Sequence, residues 1–406
     1  MKTLKSISSM LFISLIVASV VANAQDVKYE PTPFKVNISN AKLEEIQKKV
    51  EGYRWPVSFD QGNWSMGADF QYMKELVEYW SKDYDWRRFE TKLNQYPQYI
   101  VNINGIDLHY YHIKSEQEGA RPLLISHGWP GSPAEYFKTI DGFINPSKYG
   151  SKSQPFDLVL PSLPGYGFSG KPANMIGPKS TAELYHVLMT KVLGYNKFFS
   201  AAGDLGGLVQ TQLAQLYPED LIAIHYQNLA VGPSAKELTQ EEKEWTDKSN
   251  AYAQQEMTYF PMQLIKPMTV ALTLQDNPVG SAAWFLEKIQ IWSDHKGDIE
   301  NSFSKDDLLD MVMYYLVNDN MGSSINFYGG LLRETNGAFY PEEKIDIPTA
   351  LIHFPKDYLN AHPPRSWAEQ YYNIQQWSKM AEGGHFPGME APEEFVADVQ
   401  NFFSKY

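Results

Sequence analysis

The sequence contains no cysteine, so it can form neither disulfide bonds nor thiolate metal sites, and no N-terminal cysteine can carry a lipid. It also lacks an excess of basic residues, since 35 Lys and Arg stand against 48 Asp and Glu and give a net charge of −13. Because nucleic-acid-binding proteins depend on basic surfaces, we expect no nucleic-acid partner. With 406 residues, of which 43% are apolar, the chain can bury a core without metal or disulfide support.

Histidine pairs with the spacing of metal ligands are missing as well. The sequence has no His-Glu-x-x-His motif. His109 and His112 lie three residues apart on a predicted strand, so their side chains would face opposite sides of a sheet. We therefore expect no metal site.

Long apolar runs are absent apart from one at the N-terminus. Lys2 and Lys5 precede an apolar run over residues 10–21, and Ala22-Asn23-Ala24 follows it. This order of charged, apolar and small residues predicts a secretory signal peptide over residues 1–24. The run is too short for a permanent membrane anchor. We expect an exported protein, either periplasmic or secreted, since the signal does not separate the two.

The remaining chain divides into four predicted parts. Residues 25–98, here called the collar, are rich in aromatic residues and helical patterns. Residues 99–232 alternate apolar strands with helices, residues 233–345 are mostly helical, and residues 346–406 return to the first pattern. Near-continuous apolar strands separated by helices predict an α/β fold with a mostly parallel sheet. The helical segment 233–345 is here called the lid, because such an insertion commonly covers an active site.

Predicted strands cover residues 99–103, 106–113, 123–126, 156–161, 198–202, 221–226, 347–354 and 374–380, and the main predicted helices of the second half cover 235–259, 281–293, 305–317 and 392–403. Asn104-Gly105 is the expected two-residue turn of a β-hairpin. An asparagine at position 40 is expected to cap the first helix of the collar.

The most informative segment surrounds Asp204. An apolar strand leads into it, small residues flank it at Ala202 and Gly206, and a helical stretch follows. This pattern is typical of a nucleophile on a strained strand-to-helix turn, where the two backbones come close together. A carboxylate nucleophile suits attack on an sp³ carbon that carries a leaving group or a strained ring, and it forms an ester. An isolated Asp in this place would more often be a helix cap, so the interpretation depends on the other motifs.

The second motif is His127-Gly128-Trp129-Pro130-Gly131-Ser132, which follows a predicted strand. In hydrolases of this architecture such a loop supplies one backbone N–H of the oxyanion hole, and the residue after the nucleophile supplies the other. These residues would be Trp129 and Leu205. We interpret His127 itself as a buried histidine that fixes its own turn.

The third motif places His385 in Gly383-Gly384-His385-Phe386, between the last predicted strand and the last helix. A general base belongs at this point of a catalytic triad. Asp357 follows the strand at 347–354 and is the expected acid that orients the imidazole. Asp346 is the reserve candidate, although it precedes that strand and should lie at the wrong edge of the sheet.

Taken together, these motifs resemble those of epoxide hydrolases of the microsomal and juvenile-hormone type, in which an N-terminal epoxide hydrolase domain precedes an α/β-hydrolase core. The resemblance extends from about Thr32 to Phe403 and implies an α/β-hydrolase fold with a helical lid and no cofactor. Besides the motifs above, it depends on Pro33-Phe34, Arg54-Trp55-Pro56, Tyr79-Trp80, Tyr84-Asp85-Trp86-Arg87, Leu93-Asn94 and the segment from Pro161 to Ser169.

The resemblance also implies two proton donors in the lid. Tyr259, followed by Gln263 and Lys266-Pro267, matches the first tyrosine of the family, and Tyr328, after Ser323-Ser324, matches the second. Two positions depart from the family pattern. Leu205 stands where tryptophan is usual, and Asp357 stands where glutamate is more frequent, so either the loop compensates or the contact to His385 is longer.

The leading hypothesis is an epoxide hydrolase that forms an ester on Asp204 and releases a vicinal diol from a small apolar epoxide. A dehalogenase would use the same nucleophile, base and acid, but it needs halide-binding donors that Leu205 does not supply. A catalytically inactive binding protein on the same scaffold is the third hypothesis. The oligomeric state cannot be deduced from the sequence.

Overall fold

A computed structural model describes residues 28–57, 63–149, 153–357 and 362–406 of the chain. The predicted signal peptide, residues 1–24, lies outside these ranges. Among the helices within them, none combines the length and the apolar character that a membrane span requires.

The described residues form a single nine-stranded sheet. Its strands are β1 (Thr32–Phe34), β2 (Gln98–Ile103), β3 (Ile106–Ile113), β4 (Arg121–Ser126), β5 (Phe156–Pro161), β6 (Phe198–Ala202), β7 (Leu221–Tyr226), β8 (Ile345–His353) and β9 (Tyr372–Lys379). Their spatial order is β1-β2-β3-β5-β4-β6-β7-β8-β9. Pairing is antiparallel from β1 to β5 and parallel from β5 to β9.

Helices surround this sheet and form the lid. They are α1 (Asn40–Glu51), α2 (Phe70–Lys82), α3 (Trp86–Leu93), α4 (Ile140–Ile144), α5 (Pro178–Val187), α6 (Asp204–Leu216), α7 (Gln240–Glu256), α8 (Tyr259–Ile265), α9 (Pro267–Leu274), α10 (Pro278–Trp292), α11 (Lys305–Leu316), α12 (Met321–Thr335), α13 (Arg365–Ala368), α14 (Pro387–Glu390) and α15 (Pro392–Phe403). Helix α6 packs on α5 and contacts the strands β6 to β8, whereas α15 contacts β7 and β8 and packs with α4 and α14.

The predicted α/β fold is confirmed, and most of the predicted strands agree with the structure to within two residues. Asn104 and Gly105 have φ angles of 53° and 83°, so they form the expected turn between β2 and β3. Strand β1 was not predicted. Its three residues add to the sheet through main-chain pairing with β2.

Several helix boundaries differ from the predictions, among them the start of α10, which lies at Pro278 instead of residue 281. The long helix predicted over 235–259 is wrong at both ends, because α7 begins after Thr239 and a separate helix begins at Tyr259. Thr239 and Glu242 form a reciprocal capping box, which fixes the start of α7. In the collar, the cap of α1 is Ser39 rather than the residue that follows it, since the Ser39 hydroxyl accepts from the Lys42 N–H.

The collar packs against the lid. Helix α1 contacts α10, while α2 and α3 contact α11. At this junction the Arg88 guanidinium lies 2.6 Å from the carboxylate of Asp310, and the hydroxyl of Tyr84 donates to the same carboxylate at 2.9 Å. The Asp310 side chain is 5% exposed and that of Arg88 is 39% exposed, so this ion pair joins the two parts at the boundary between the interior and the surface.

Candidate active site

Asp204 lies at a sharp turn between β6 and α6. Its φ angle is 51°, which is uncommon for a residue with a side chain and stores strain in the turn. Two residues later, a Cβ on Gly206 would lie 2.4 Å from the Ser126 carbonyl oxygen and 2.7 Å from that of His127. A glycine is therefore required at position 206, because α6 passes directly over the end of β4.

Two backbone N–H groups hold one oxygen of the Asp204 carboxylate. The N–H of Trp129 donates to Oδ1 at 2.8 Å, and the N–H of Leu205 donates to the same oxygen at 2.7 Å. These are the two residues expected to form the oxyanion hole. The arrangement leaves Oδ2 as the oxygen that is free of these donors.

His385 lies between two carboxylates. Its Nε2 is 3.5 Å from Oδ2 of Asp204, and its Nδ1 is 2.9 Å from Oδ1 of Asp357. Asp357 follows β8 and His385 follows β9, which is the neighbouring parallel strand, so both reach the same edge of the sheet as Asp204. Asp346, the reserve candidate, lies at the opposite end of β8 and is exposed.

The charges of this triad are strongly coupled. Burial alone would lower the pKa of His385, but the charge of Asp357 and the contact with Asp204 raise this pKa well above its usual range. Burial would likewise raise the pKa of Asp357, yet the charge and the hydrogen bond of His385 hold it at about 2. Both effects favour a charged imidazolium beside an ionised Asp357.

Asn228 connects the acid to the nucleophile, and the sequence analysis missed it. Its Nδ2 donates to Oδ2 of Asp357 at 3.1 Å, and its Oδ1 accepts from the Asp204 N–H at 2.8 Å. The available signal was the polar pair Gln227-Asn228 directly after the apolar strand β7. Polar side chains at the carboxyl end of a parallel strand tend to face the site of such folds.

Tyr259 and Tyr328 both reach the site from the lid. The ring of Tyr259 stacks on that of Trp129 with a centroid distance of 5.5 Å, and the ring of Tyr328 meets the edge of the same indole at 6.0 Å. Burial, reinforced by the negative charge of Asp204 and by neighbouring tyrosines, raises the pKa of both phenols well above the usual value of 10. Both hydroxyls therefore stay protonated and can donate.

A cavity of about 650 Å³ extends from these groups into the space beneath the lid. Asp204, Tyr259 and Tyr328 lie in its wall. The remaining wall is largely apolar and includes Leu205, Leu208, Leu229, Val231, Trp245, Met257, Phe260 and Phe339. Within the described ranges, no group of three or more His, Cys, Asp or Glu side chains could hold a metal ion.

Comparison with known proteins identifies the family. Residues 31–136 match the model of the epoxide hydrolase N terminus, and residues 121–255 match that of the alpha/beta hydrolase fold. The chain is 32% identical to epoxide hydrolase 1 of Sus scrofa, covering 91% of this chain and 88% of that protein. It is 30% identical to juvenile hormone epoxide hydrolase 1 of Ctenocephalides felis, with 94% and 87% covered. The chain belongs to the epoxide hydrolase family.

A solved structure supports the same assignment. The fold matches the epoxide hydrolase of Aspergillus niger with a TM-score of 0.80 and 29% identity, covering 93% of this chain and 96% of that one. The resemblance inferred from the motifs is thereby confirmed, as are the α/β-hydrolase fold and the class of enzyme.

Both departures from the family pattern are accommodated in this epoxide hydrolase. Leu205 keeps its backbone N–H on Asp204, while its side chain forms part of the cavity wall. The shorter side chain of Asp357 still reaches His385 at an ordinary hydrogen-bond distance of 2.9 Å. The loop after β8 therefore compensates for the missing methylene. His127 has the structural role expected of it, since it bonds the Gly128 carbonyl and the Leu163 N–H.

Proposed function

We propose that this protein converts an apolar epoxide to a vicinal diol through an ester on Asp204. The observation that carries the proposal is the geometry of the Asp204 carboxylate. One oxygen is bound by two backbone N–H groups, and Asp204 lies in the wall of a large, mostly apolar cavity that Tyr259 and Tyr328 also line. A nucleophile, an electrophile-activating pair and room for a substrate are thus combined at one place.

Ring opening is the first step. Oδ2 of Asp204 attacks an epoxide carbon, because Oδ1 is already engaged by the N–H groups of Trp129 and Leu205. The C–O bond of the ring breaks as its oxygen develops negative charge. Tyr259 and Tyr328 hydrogen-bond to this oxygen, and one of them transfers its proton to it, which yields a hydroxyl group and a glycol ester.

Ester hydrolysis is the second step. His385 removes a proton from water, which attacks the carbonyl carbon of the Asp204 ester. The resulting oxyanion develops on Oδ1, where the two backbone donors already lie. The tetrahedral intermediate then releases the diol, whose oxygen takes the proton from His385, and the second proton of the water, left on the Asp204 carboxyl group, passes to His385 and restores the imidazolium.

The coupled charges favour this order of steps. Before reaction, the ionised Asp204 helps to raise the pKa of His385. Esterification removes this negative charge, so the pKa of His385 falls. The imidazolium then gives its proton to the tyrosinate left by ring opening and becomes a neutral base. The base is therefore activated only when an ester is present to be hydrolysed.

The nature of the cavity wall indicates the substrate. Apolar side chains and aromatic rings dominate it, and its volume is that of a ligand pocket for drug-sized molecules. A small, apolar epoxide buries its carbon skeleton there and places the ring oxygen at the tyrosine hydroxyls.

We also propose that the protein is exported, on the strength of the pattern over residues 1–24. Expression of the full chain in a bacterial host, followed by cell fractionation and N-terminal sequencing of the product, tests this. A mature protein that begins near Gln25 outside the cytoplasm is expected. An intact N-terminus in the cytoplasm would contradict export.

Isotope transfer tests the ester mechanism. With enzyme in excess over an apolar epoxide in H₂¹⁸O, a single turnover should give unlabelled diol, because the oxygen that joins carbon comes from Asp204. The label should appear in the Asp204 carboxylate, which peptide mass spectrometry detects. An Asp204→Ala variant is the control and should form no diol. Labelled diol from the first turnover would mean that water attacks the epoxide directly, against the proposal.

A further inference from the structure

Glu135 is a buried carboxyl group beside the triad for which the chemistry above gives no role. It belongs to the short helical turn Pro133–Thr139 that follows the Trp129 loop, and 7% of its surface is exposed. Its Oε2 fills the space in front of Gly131, where a Cβ would lie only 2.3 Å from this oxygen. Gly131 thus leaves room for the carboxylate of Glu135, which lies four residues later in the sequence.

Glu135 forms part of the wall of a small cavity behind the nucleophile. The cavity has a volume of about 10 Å³, which is enough for one water molecule. Its polar residues are Glu135, Gln227, Asp204 and His385, and the rest of its wall consists of Gly128, Trp129, Gly131, Gly203 and Phe386. A buried water needs two to four polar partners, and this cavity supplies them.

The small cavity and the large one meet at Asp204, which lies in the wall of both. His385 is part of the wall of the small cavity, whereas Tyr259 and Tyr328 are part of that of the large one. The base and the proton donors of the two steps therefore face different spaces. Substrate would reach the nucleophile from the lid, while water would be held on the side of the base.

A second small cavity, of about 20 Å³, lies on the other side of Glu135. Glu135 and Gly131 are part of the walls of both small cavities. The second one reaches towards the junction of collar and lid, where Lys92, Asp307 and Asp310 form part of its wall. Glu135 thus stands between the triad and a second space that leads away from the substrate cavity.

We propose that the cavity of about 10 Å³ holds the hydrolytic water and that Glu135 positions this water for His385. The inference rests on the function proposed above. One O–H of the water points to Nε2 of His385 and its proton is transferred there, while the other donates to the carboxylate of Glu135. The oxygen lone pair then faces the carbonyl carbon of the Asp204 ester, where the new C–O bond forms.

The electrostatics of Glu135 agree with this position. Burial raises the pKa of its carboxyl group to about 7, even though the nearby charge of His385 acts in the opposite direction. Keeping such a group buried beside the nucleophile is unfavourable for folding unless it has a polar partner. Tyr136 hydrogen-bonds this carboxyl group, and a bound water adds a second partner on the side of the triad.

Rapid-quench kinetics with an apolar epoxide, combined with intact-protein mass, separate the two steps in Glu135→Leu and Glu135→Gln. In Glu135→Leu we expect ester hydrolysis to slow by about tenfold or more, because the water is no longer oriented. Ester formation should change by less than about threefold, so the ester accumulates and KM falls together with kcat. Glu135→Gln keeps a hydrogen-bonding group and should lie between the wild type and Glu135→Leu. Should Glu135→Leu not fold, Glu135→Gln carries the test.

Glu242→Gln is the matched control, because Glu242 is a buried glutamate whose carboxylate caps α7 instead of facing the triad. It should lower thermal stability without ester accumulation. Glu135 variants that hydrolyse the ester at the wild-type rate, or that slow both steps equally, would overturn the water site. If His385→Gln forms no ester on Asp204, the proposed function itself fails. That result differs from a Glu135 variant whose ester forms and is hydrolysed at the wild-type rate, which overturns only the water site.

Discussion

His385 is a base whose strength depends on the state of its neighbour. Two carboxylates flank the imidazole. In the proposed mechanism only that of Asp204 changes charge during the reaction. Asp357 remains ionised throughout, because its pKa is held at about 2. In this mechanism the imidazole is favoured as a cation beside the ionised Asp204 and as a neutral base once the ester has formed.

The first prediction concerns this coupling. Asp204→Asn removes the negative charge next to Nε2, so the pKa of His385 should fall relative to that of the wild type. The ¹⁵N chemical shifts of the imidazole, followed by NMR as a function of pH, measure this. His112 serves as an internal control, because burial and not the charge of Asp204 is the main cause of its low pKa of about 4. An unchanged pKa of His385 would refute the coupling.

The second prediction separates the role of the two tyrosines in ester formation from the role of His385 in ester hydrolysis. Tyr259→Phe or Tyr328→Phe removes a hydroxyl that stabilises the opening ring, so ester formation should slow by roughly 10- to 100-fold. Hydrolysis of the ester should change little, since no proton from these tyrosines enters the attack by water. Single-turnover kinetics resolve the steps. Tyr226→Phe is the control, because the buried Tyr226 hydroxyl bonds Thr211 and lies away from the cavity. Loss of ester hydrolysis in Tyr259→Phe or Tyr328→Phe would contradict the assignment of these tyrosines to ring opening.

Residue roles were predictable where a short motif fixes its own geometry. Trp129 and Leu205 could be assigned because both donors are backbone groups set by local turns. Asn228 and Glu135 could not, because their significance depends on partners that folding brings near. Asn228 lies 129 positions from Asp357 in sequence, and no local pattern encodes that contact.

Helix α6 crosses over the end of β4. This close crossing aligns Asp204 at the start of the helix with the Trp129 N–H of the oxyanion hole. Gly206→Ala would place a Cβ against two backbone carbonyl oxygens, which cannot move as a side chain can. We expect a loss of stability of about 1–3 kcal/mol and a large loss of activity, as the Trp129 N–H shifts away from Asp204. Urea unfolding and initial rates measure both effects.

The neighbouring position provides a matched control for this third prediction. A Cβ on Gly207 would lie 3.3 Å from the nearest atom, the Asn228 carbonyl oxygen, which is tight but short of the clash at position 206. Gly207→Ala should therefore cost less stability and less activity than Gly206→Ala. Equal effects of the two substitutions would mean that the crossing does not set the geometry.

Elements were predictable where burial makes the sequence nearly continuous in apolar residues. The strands β5, β6 and β7 agree with their predicted bounds for this reason. Strand β1 was missed because it is three residues long and pairs on one side only, at the edge of the sheet. The start of α7 was misplaced because the helical sequence pattern begins before the capping box of Thr239 and Glu242, where the helix actually starts.

On the scale of the whole molecule, the collar stabilises the lid through buried charge. The sequence predicted only that the collar packs on another part of the chain. It could not identify the lid as that part, since Arg88 and Asp310 lie 222 positions apart. Burial raises the pKa of Asp310 to about 6, against the opposing effect of Arg88.

The fourth prediction follows from this raised pKa. The native state holds the Asp310 proton more tightly than the unfolded state, so protonation stabilises the fold as the pH falls through about 6. Arg88→Gln should therefore lower the free energy of unfolding by about 2 kcal/mol at pH 8, where a buried charge is left unpaired, and by clearly less at pH 5. Urea unfolding at the two pH values measures this.

An exposed ion pair across the same junction is the control. Lys42 and Asp319 also join collar and lid, but the Asp319 side chain is 54% exposed. Lys42→Gln should cost less than about 1 kcal/mol at either pH. A loss of the same size for Arg88→Gln at pH 5 and pH 8 would show that the ionisation of Asp310 does not matter.

The most direct test of the central claim is the intact mass of a His385→Gln variant incubated with epoxides and haloalkanes. Without the base, an ester on Asp204 should form and persist. We expect a mass gain equal to a whole epoxide. This gain should be absent from the double variant that carries both His385→Gln and Asp204→Ala. A gain equal to a haloalkane less its halide, with no epoxide adduct, would contradict this expectation and place the protein among the dehalogenases.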